Sequence, residues 1–250
     1  MRHIVVLPYY SDEEVQVFHE IADIWKVLTK TECDYTFLLV SRFDRKPDEG
    51  LLRKYLEIAP TQSIRSTTEG RGIKKPDVGF KVEGPTAMFW DAVEFVSQNF
   101  PHDGGFMLWF EYDMVPLVPD WLDRLEKEWK ISRYVLMGKL IDREWAKENI
   151  PSQSDNIVKH INGGACYSKD FIRKVPKQKF NMAMPWDMQV YRYISSWHNR
   201  FRLRYKTTNL IEFRYASSSL EKPPLHDSAI LHGVKDGSAR AYIHEKVQSP

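Results

Sequence analysis

Residues 3–41, HIVVLPYYSDEEVQVFHEIADIWKVLTKTECDYTFLLVS, decide how the rest of the chain reads. HIVVLP at 3–8 is a short β-branched run closed by proline, the pattern of a buried strand. Ser11, with Glu14 three residues later, has the spacing of a capping box. Behind it Val15, Phe18, Ala22, Trp25 and Leu28 form an apolar stripe at helical spacing. YTFLLVS at 35–41 is a second buried strand. Strand, helix, strand makes a βαβ unit, which implies parallel strands joined by a right-handed crossover.

Outward from that unit the alternation continues. A short helix is expected over 48–58, and residues 60–84, rich in Thr, Gly, Arg and Lys, read as loop around at most one short strand. Gly84-Pro85 opens a helix over 85–100, proline being favoured at the first helical position. GFMLWF at 105–110 is an apolar strand ending in Glu111-Tyr112-Asp113. DWLDRLEKEWK, after Pro116 and Pro119, is amphipathic and helical. YVLMGKLI at 134–141 reads as a strand, 142–159 as a polar loop, HINGGACYS at 160–168 as a strand with a glycine break, and WDMQVYRYISSW at 186–197 as a helix. A strand is expected near 209–213, then a Ser/Pro-rich loop at 216–227 and ILHGVKDG at 230–237. Buried strands alternating with helices predict an α/β fold with a mostly parallel central sheet and helices on both faces. Ligands of such sheets bind beyond the carboxyl ends of the strands. That directs attention to the loops after residues 8, 41, 111 and 141.

The chain of 250 residues has no internal repeat, low-complexity tract or linker, and it reads as one domain. A hydrophobic fraction of 42% and a charged fraction of 28% are those of a globular protein able to bury a large core. The formal charge of +2 argues against a nucleic-acid partner, whose phosphates call for a concentrated basic surface. The two cysteines, Cys33 and Cys166, make neither a disulfide framework nor a Cys-rich zinc site, which fits a reducing, cytoplasmic setting. No stretch approaches the ~20 apolar residues of a membrane span, and Met1 to Tyr10 lacks the features of a signal peptide.

Two carboxylates at i and i+2 project to the same face of an extended segment. Glu111 and Asp113 at the end of an apolar strand can therefore share a hard divalent ion, or divide metal and hydroxyl duties. Burying them in a cleft is costly unless they are paired or metal-bound.

WFEYDMVPLVPDWLDRLEKEWK resembles the DxD region of GT-A glycosyltransferases, in which an acidic motif ends a central strand and a proline-containing turn leads into a helix. Here the first acid is Glu rather than Asp. The resemblance implies Asp113 as the direct ligand of Mn²⁺ or Mg²⁺, with Glu111 toward the ribose or a metal-bound water and Tyr112 beside the donor. His232-Gly233-Val234-Lys235-Asp236-Gly237 resembles the late histidine and lysine element of the metal-dependent members, which implies His232 as a further metal ligand and Lys235 on the diphosphate. Imidazole suits Mn²⁺ and a lysine is a flexible point charge, so the chemistry agrees. His160-Ile161-Asn162-Gly163-Gly164-Ala165 resembles the glycine-bearing strand beside the donor sugar. Asp187, at the start of the next helix, is either an N-cap or an acceptor-facing acid, the general base if configuration inverts. Pro8, Tyr9, Tyr10 and Ser11 fall where the family holds base and ribose, and Arg71 and Lys81 where a phosphate is within reach.

The resemblance covers roughly residues 3–240. It implies a single GT-A domain over 1–250, with a nucleotide-binding part of about 1–115 and an acceptor-side part of about 116–250. The implied reaction moves a sugar from a nucleoside-diphosphate sugar, a UDP-sugar first, to a hydroxyl of a glycan or other acceptor, with Mn²⁺ or Mg²⁺. Three other readings stand beside it. A sugar nucleotidyltransferase is disfavoured because LPYYSDEE carries no glycine-rich phosphate loop. A non-catalytic nucleotide-sugar-binding module would keep the fold without turnover. A glycoside hydrolase would use Glu111 and Asp187 and need no nucleotide.

Overall fold

The computed structural model describes residues 1–67, 83–131, 134–181, 184–214, 220 and 222–248. In chain order the elements are β1 (Arg2–Tyr9), α1 (Asp12–Leu28), β2 (Asp34–Ser41), α2 (Glu49–Leu56), β3 (Thr61–Arg65), α3 (Glu83–Asn99), β4 (Phe106–Trp109), β5 (Met114–Pro116) and α4 (Trp121–Lys130). There follow β6 (Leu136–Gly138), β7 (Leu140–Ile141), α5 (Arg143–Asn149), a 3₁₀ turn (Pro151–Asn156), β8 (His160–Ile161), β9 (Cys166–Ser168) and α6 (Phe171–Lys174). The last are a short 3₁₀ turn (Lys177–Lys179), α7 (Trp186–Ser195), β10 (Tyr205–Thr207), β11 (Ile211–Phe213), β12 (Ile230–His232) and α8 (Ser238–Gln248).

The expected mostly parallel sheet is present. Seven strands lie in the order β10-β6-β9-β4-β1-β2-β3, and only β9 runs antiparallel to its neighbours. β1 shows why helices must cover both faces. Ile4 and Val6 pack into one core with residues of α3 and α7, while Val5, Leu7 and Tyr9 pack into the other with residues of α1, α2 and α4. Successive side chains point to opposite faces, so a strand apolar at every position needs two covers. Removing each such aliphatic side chain from water is worth about 1.5–3 kcal/mol.

Ser11 caps α1, its Oγ accepting from the Glu14 N–H at 3.1 Å. Glu14 returns to the Tyr10 N–H at 2.7 Å, which fixes how the chain leaves β1. α3 begins two residues before the expected Pro85. The first-turn amides have no intrahelical partner, so a proline at the third position is tolerated there as well.

Two expectations need correction. YVLMGKLI is not one strand: β6 joins the large sheet while β7 pairs with β8 in a separate two-stranded sheet. The break falls at Lys139, just past Gly138, where a Cβ would stand 2.7 Å from both Ala165 Cβ and Ile161 Cγ2. Nor is 142–159 a loop throughout. Asp142 caps α5 by accepting from the Trp145 N–H at 3.0 Å, and a 3₁₀ turn follows. α5 buries only Ala146, so no apolar stripe advertises it in the sequence.

A three-stranded sheet, β11-β12-β5, closes the molecule beyond the carboxyl end of β4. Its antiparallel register sets His232 opposite Met114. Cys33 and Cys166 are both free. No described helix is long and apolar enough to cross a membrane.

Candidate functional site

β4 ends at Trp109 and the chain turns at once, Met114 N–H donating to the Glu111 carbonyl at 2.9 Å. Glu111 and Asp113 thus converge through a turn, not by the alternation of an extended strand expected from their spacing. The result is the same in kind: both carboxylates face the end of β12. Gly233 N–H donates to the Asp113 carbonyl at 3.1 Å and locks the two segments together. Gly233 has φ +97°, and a Cβ there would lie 2.0 Å from the Arg214 carbonyl oxygen, so this position requires glycine.

Glu111, Asp113 and His232 form a three-residue cluster with all ligand atoms within 4.8 Å. His232 Nε2 donates to Glu111 Oε2 at 3.1 Å and lies 3.2 Å from Asp113 Oδ1. Lys235 Nζ stands 3.8 Å from Asp113 Oδ2. Burial alone would push the His232 imidazole down, but the charge of Asp113, with the hydrogen bonds to both carboxylates, lifts it to about 10. Asp113 is the mirror case: burial raises it, and His232 and then Lys235 outweigh that and hold it low. Lys235 is likewise raised, burial being overcome by Asp113 and Tyr112.

Hydrogen bonding leaves the cluster incomplete. His232 Nδ1 is buried with no hydrogen-bond partner, and Asp113 Oδ1 meets only the shared Nε2, 3.2 Å away and out of line for a hydrogen bond. Such orphans are rare in folded proteins, and in a mixed carboxylate–imidazole set they suit a divalent ion of the Mn²⁺ type. The residues present therefore fit a metal.

Gly163 and Gly164 follow from the same packing. A Cβ on Gly163 would lie 2.9 Å from Glu111 Oε1, and one on Gly164 would lie 2.8 Å from His232 Nδ1 and from Met114 Sδ. The two glycines make room for the side chains of the cluster. Pro8, Tyr10, Pro85, Met88, Trp109, Glu111, Tyr112, Asp113 and Lys235 line an adjoining cavity of about 170 Å³. Two larger grooves, of about 830 and 650 Å³, meet at Met1 and lie at the amino ends of the strands, away from this chemistry.

The structure separates the other expected residues. Tyr9 is fully buried and its hydroxyl accepts from the Asp48 N–H at 2.9 Å, so it holds the start of α2 and does not reach the cavity. Ser11 is occupied as the α1 cap. Tyr10 does face the cavity and is 40% exposed. Lys81 and Arg71 lie outside the described residues. Asp187 is not the N-cap of α7, a position held by Pro185; it sits in the first turn, Oδ1 accepting from the Met188 N–H at 2.8 Å.

Two residues escaped the sequence reading. His160 faces Asp187, Nε2 to Oδ2 at 3.7 Å, while its Nδ1 donates to the Val158 carbonyl at 2.6 Å. Burial raises the Asp187 carboxyl, with His160 acting against it and Glu111 with it. Glu14 is buried and is raised by burial and by the Asp113 charge, which places a third carboxylate near the cluster. Its capping-box spacing concealed it as a helix signal.

The chain has the GT-A fold. It superposes on the galactosyltransferase LgtC in complex with donor and acceptor sugar analogs at a TM-score of 0.56 and 8% identity, over 98% of this chain and 95% of that one. It matches mouse xyloside xylosyltransferase 1 at 0.54 and 10% identity, covering 93% of this chain and 98% of that one. The mannosyltransferase PcManGT from Pyrobaculum calidifontis, in complex with GDP-Man and Mn²⁺, matches at 0.53 and 12% identity, over 83% of this chain and 54% of that one. No protein-family profile and no curated protein sequence matches the chain.

Proposed function

We propose that this protein is a metal-dependent glycosyltransferase that moves a sugar from a nucleoside-diphosphate sugar, UDP-linked in the first instance, to a hydroxyl of a glycan or other acceptor. The observation that carries the reading is the convergence of Glu111, Asp113 and His232 within 4.8 Å beside a cavity bordered by Lys235. The shared fold with LgtC in complex with donor and acceptor sugar analogs, and with a mannosyltransferase in complex with GDP-Man and Mn²⁺, supports the reading.

Asp113 and His232 would hold Mn²⁺ or Mg²⁺, with Glu111 as a further ligand or as the acceptor of a hydrogen bond from the ribose. When bound, such an ion offsets the charge that develops on a diphosphate leaving group. Lys235 adds a mobile positive charge on the same side. Tyr10, Tyr112 and Pro8 border the cavity that would take base and ribose. Gly163 and Gly164, whose missing side chains admit Glu111, His232 and Met114, would border the donor sugar through that cluster. Asp187, its carboxyl raised by burial and His160 opposite, would accept the proton of an acceptor hydroxyl if the reaction inverts. Holding acceptor and anomeric carbon together removes much of the entropic cost of the bimolecular step. We assign the whole of 1–250 to one domain, the nucleotide side in about 1–115 and the acceptor side in about 116–250, acting in the cytoplasm.

A thermal-shift screen of nucleoside diphosphates and their sugars, with and without Mn²⁺, tests the reading. One nucleotide stabilising the fold only with metal supports it, since a ligand that binds the folded state raises the melting temperature by mass action. No shift with any nucleotide would sink it.

A further inference from the structure

The turn after α7 carries a feature that the donor site does not use. Trp197 and Phe201 are 68% and 75% exposed, unusual for large rings in a molecule that fully buries four of its tryptophans. Exposed apolar groups standing together mark interaction sites more often than single ones do. The two rings meet edge to face at 6.2 Å, and the Arg200 guanidinium lies over both, 3.8 Å from the Trp197 centroid and 4.8 Å from that of Phe201.

This tip is built. Ser196 Oγ and Asn199 Nδ2 both donate to the Tyr193 carbonyl, at 2.8 and 3.0 Å. Arg200 N–H donates to the Ser196 carbonyl, and the Arg202 and Leu203 amides donate to that of Asn199. Leu203, 8% exposed, pins the turn to the core. The rings are therefore held outward by the backbone rather than displaced from some better position.

The segment that carries them has charge of one sign. No Asp or Glu stands between Asp187 and Glu212, a stretch that holds Arg192, Arg200, Arg202, Arg204 and Lys206. Lys206 pairs with Glu128. The four arginines are exposed and have no carboxylate partner among the described residues. Two apolar rings wedged among unpaired arginines match an anionic lipid surface: the rings enter the headgroup boundary and the guanidinium groups meet phosphate. A glycan or a single-stranded nucleic acid would stack on ring faces, and here Arg200 covers one face of each ring.

We propose that the Trp197–Phe201 turn docks this protein on anionic phospholipid membranes. The turn lies past the far end of α7, about 12 Å of helix from Asp187 to Ser195, so docking leaves the Glu111–Asp113–His232 cluster and its cavity open to soluble ligands. The attachment is peripheral and independent of the chemistry at the cluster.

Cosedimentation with phosphatidylcholine vesicles, with and without about one third phosphatidylglycerol, tests this. The protein should pellet with the anionic vesicles only, and about 0.5 M salt should release much of it. Trp197→Ser with Phe201→Ser should lower partitioning at least about tenfold, and so should Arg200→Glu with Arg202→Glu. The exposed Val27→Ser on α1 should leave it unchanged. Melting temperatures and metal-dependent nucleotide binding should stay at wild-type values in all three. Failure to pellet with anionic vesicles at low salt would overturn the proposal, as would equal partitioning of the Trp197/Phe201 variant. Capture of an oligonucleotide or an acidic polysaccharide in preference to the vesicles would do the same.

Discussion

Glu111 and His232, 121 residues apart in the chain, share a 3.1 Å hydrogen bond, with Asp113 Oδ1 3.2 Å from the same nitrogen. The antiparallel pairing of β5 with β12 makes the meeting possible, and the Gly233 amide fastens it. If these three side chains hold the metal, Asp113→Asn and His232→Ala should each abolish the Mn²⁺-dependent stabilisation by nucleotide and lower transfer by about 100-fold or more. Calorimetric titration with Mn²⁺ and nucleotide checks both. Full metal-dependent binding in either variant would remove the residue from the site.

The protonation of His232 makes the metal-free protein sensitive to pH. Its folded-state value, about 10, lies above the ordinary 6.5. A raised pKa stabilises the fold fully below the unfolded value and loses that contribution as pH climbs through the folded one. Without metal, the melting temperature should fall between about pH 7 and 10, and His232→Ala should flatten that slope. A metal must displace the proton, so Mn²⁺ affinity should keep rising with pH up to about 10. A pH-independent affinity would count against His232 as a ligand.

Gly164 offers a steric test that alters no polar group. A methyl there would stand 2.8 Å from both His232 Nδ1 and Met114 Sδ. Gly164→Ala should cost about 1–3 kcal/mol of stability and weaken metal binding out of proportion to that loss. Chemical denaturation beside a metal titration separates the two effects.

Trp186 supports Asp187 from below. Its ring stacks on Phe89 at 3.8 Å with an interplanar angle of 4°, and edge-on contacts with Trp109 and Tyr167 hold it from the sides. Trp186→Ala should destabilise by about 3–5 kcal/mol and lower turnover by shifting the start of α7. Trp186→Phe should restore most of the stability, which denaturation and steady-state rates will compare.

The opening βαβ unit was legible because β1 and β2 are apolar at nearly every position and α1 has both a cap and a stripe. α5 and α8 were not legible. α5 buries one residue, and α8, held by the Arg240–Glu20 contact with Ala239 and Ile243 against its neighbours, shows little periodicity. At the site, the acids and the late histidine stood out as motifs in order. The geometry that joins them did not, because a turn from Glu111 to Met114 leaves no mark that separates it from an extended strand. Nor does the order Tyr9-Tyr10 reveal which ring turns inward: Tyr9, the last residue of β1, is buried, and Tyr10 just past it is exposed.

The late position of His232 has a consequence for how the protein comes into being. A chain emerging from the ribosome presents both acids with β4 and β5 long before β12 exists. Until residue 232 is made and paired with Met114, the acids have neither the imidazole nor the Gly233 clasp that fixes their turn. If the three side chains hold a metal, a chain halted before residue 232 lacks one of its ligands and the clasp that orients the other two.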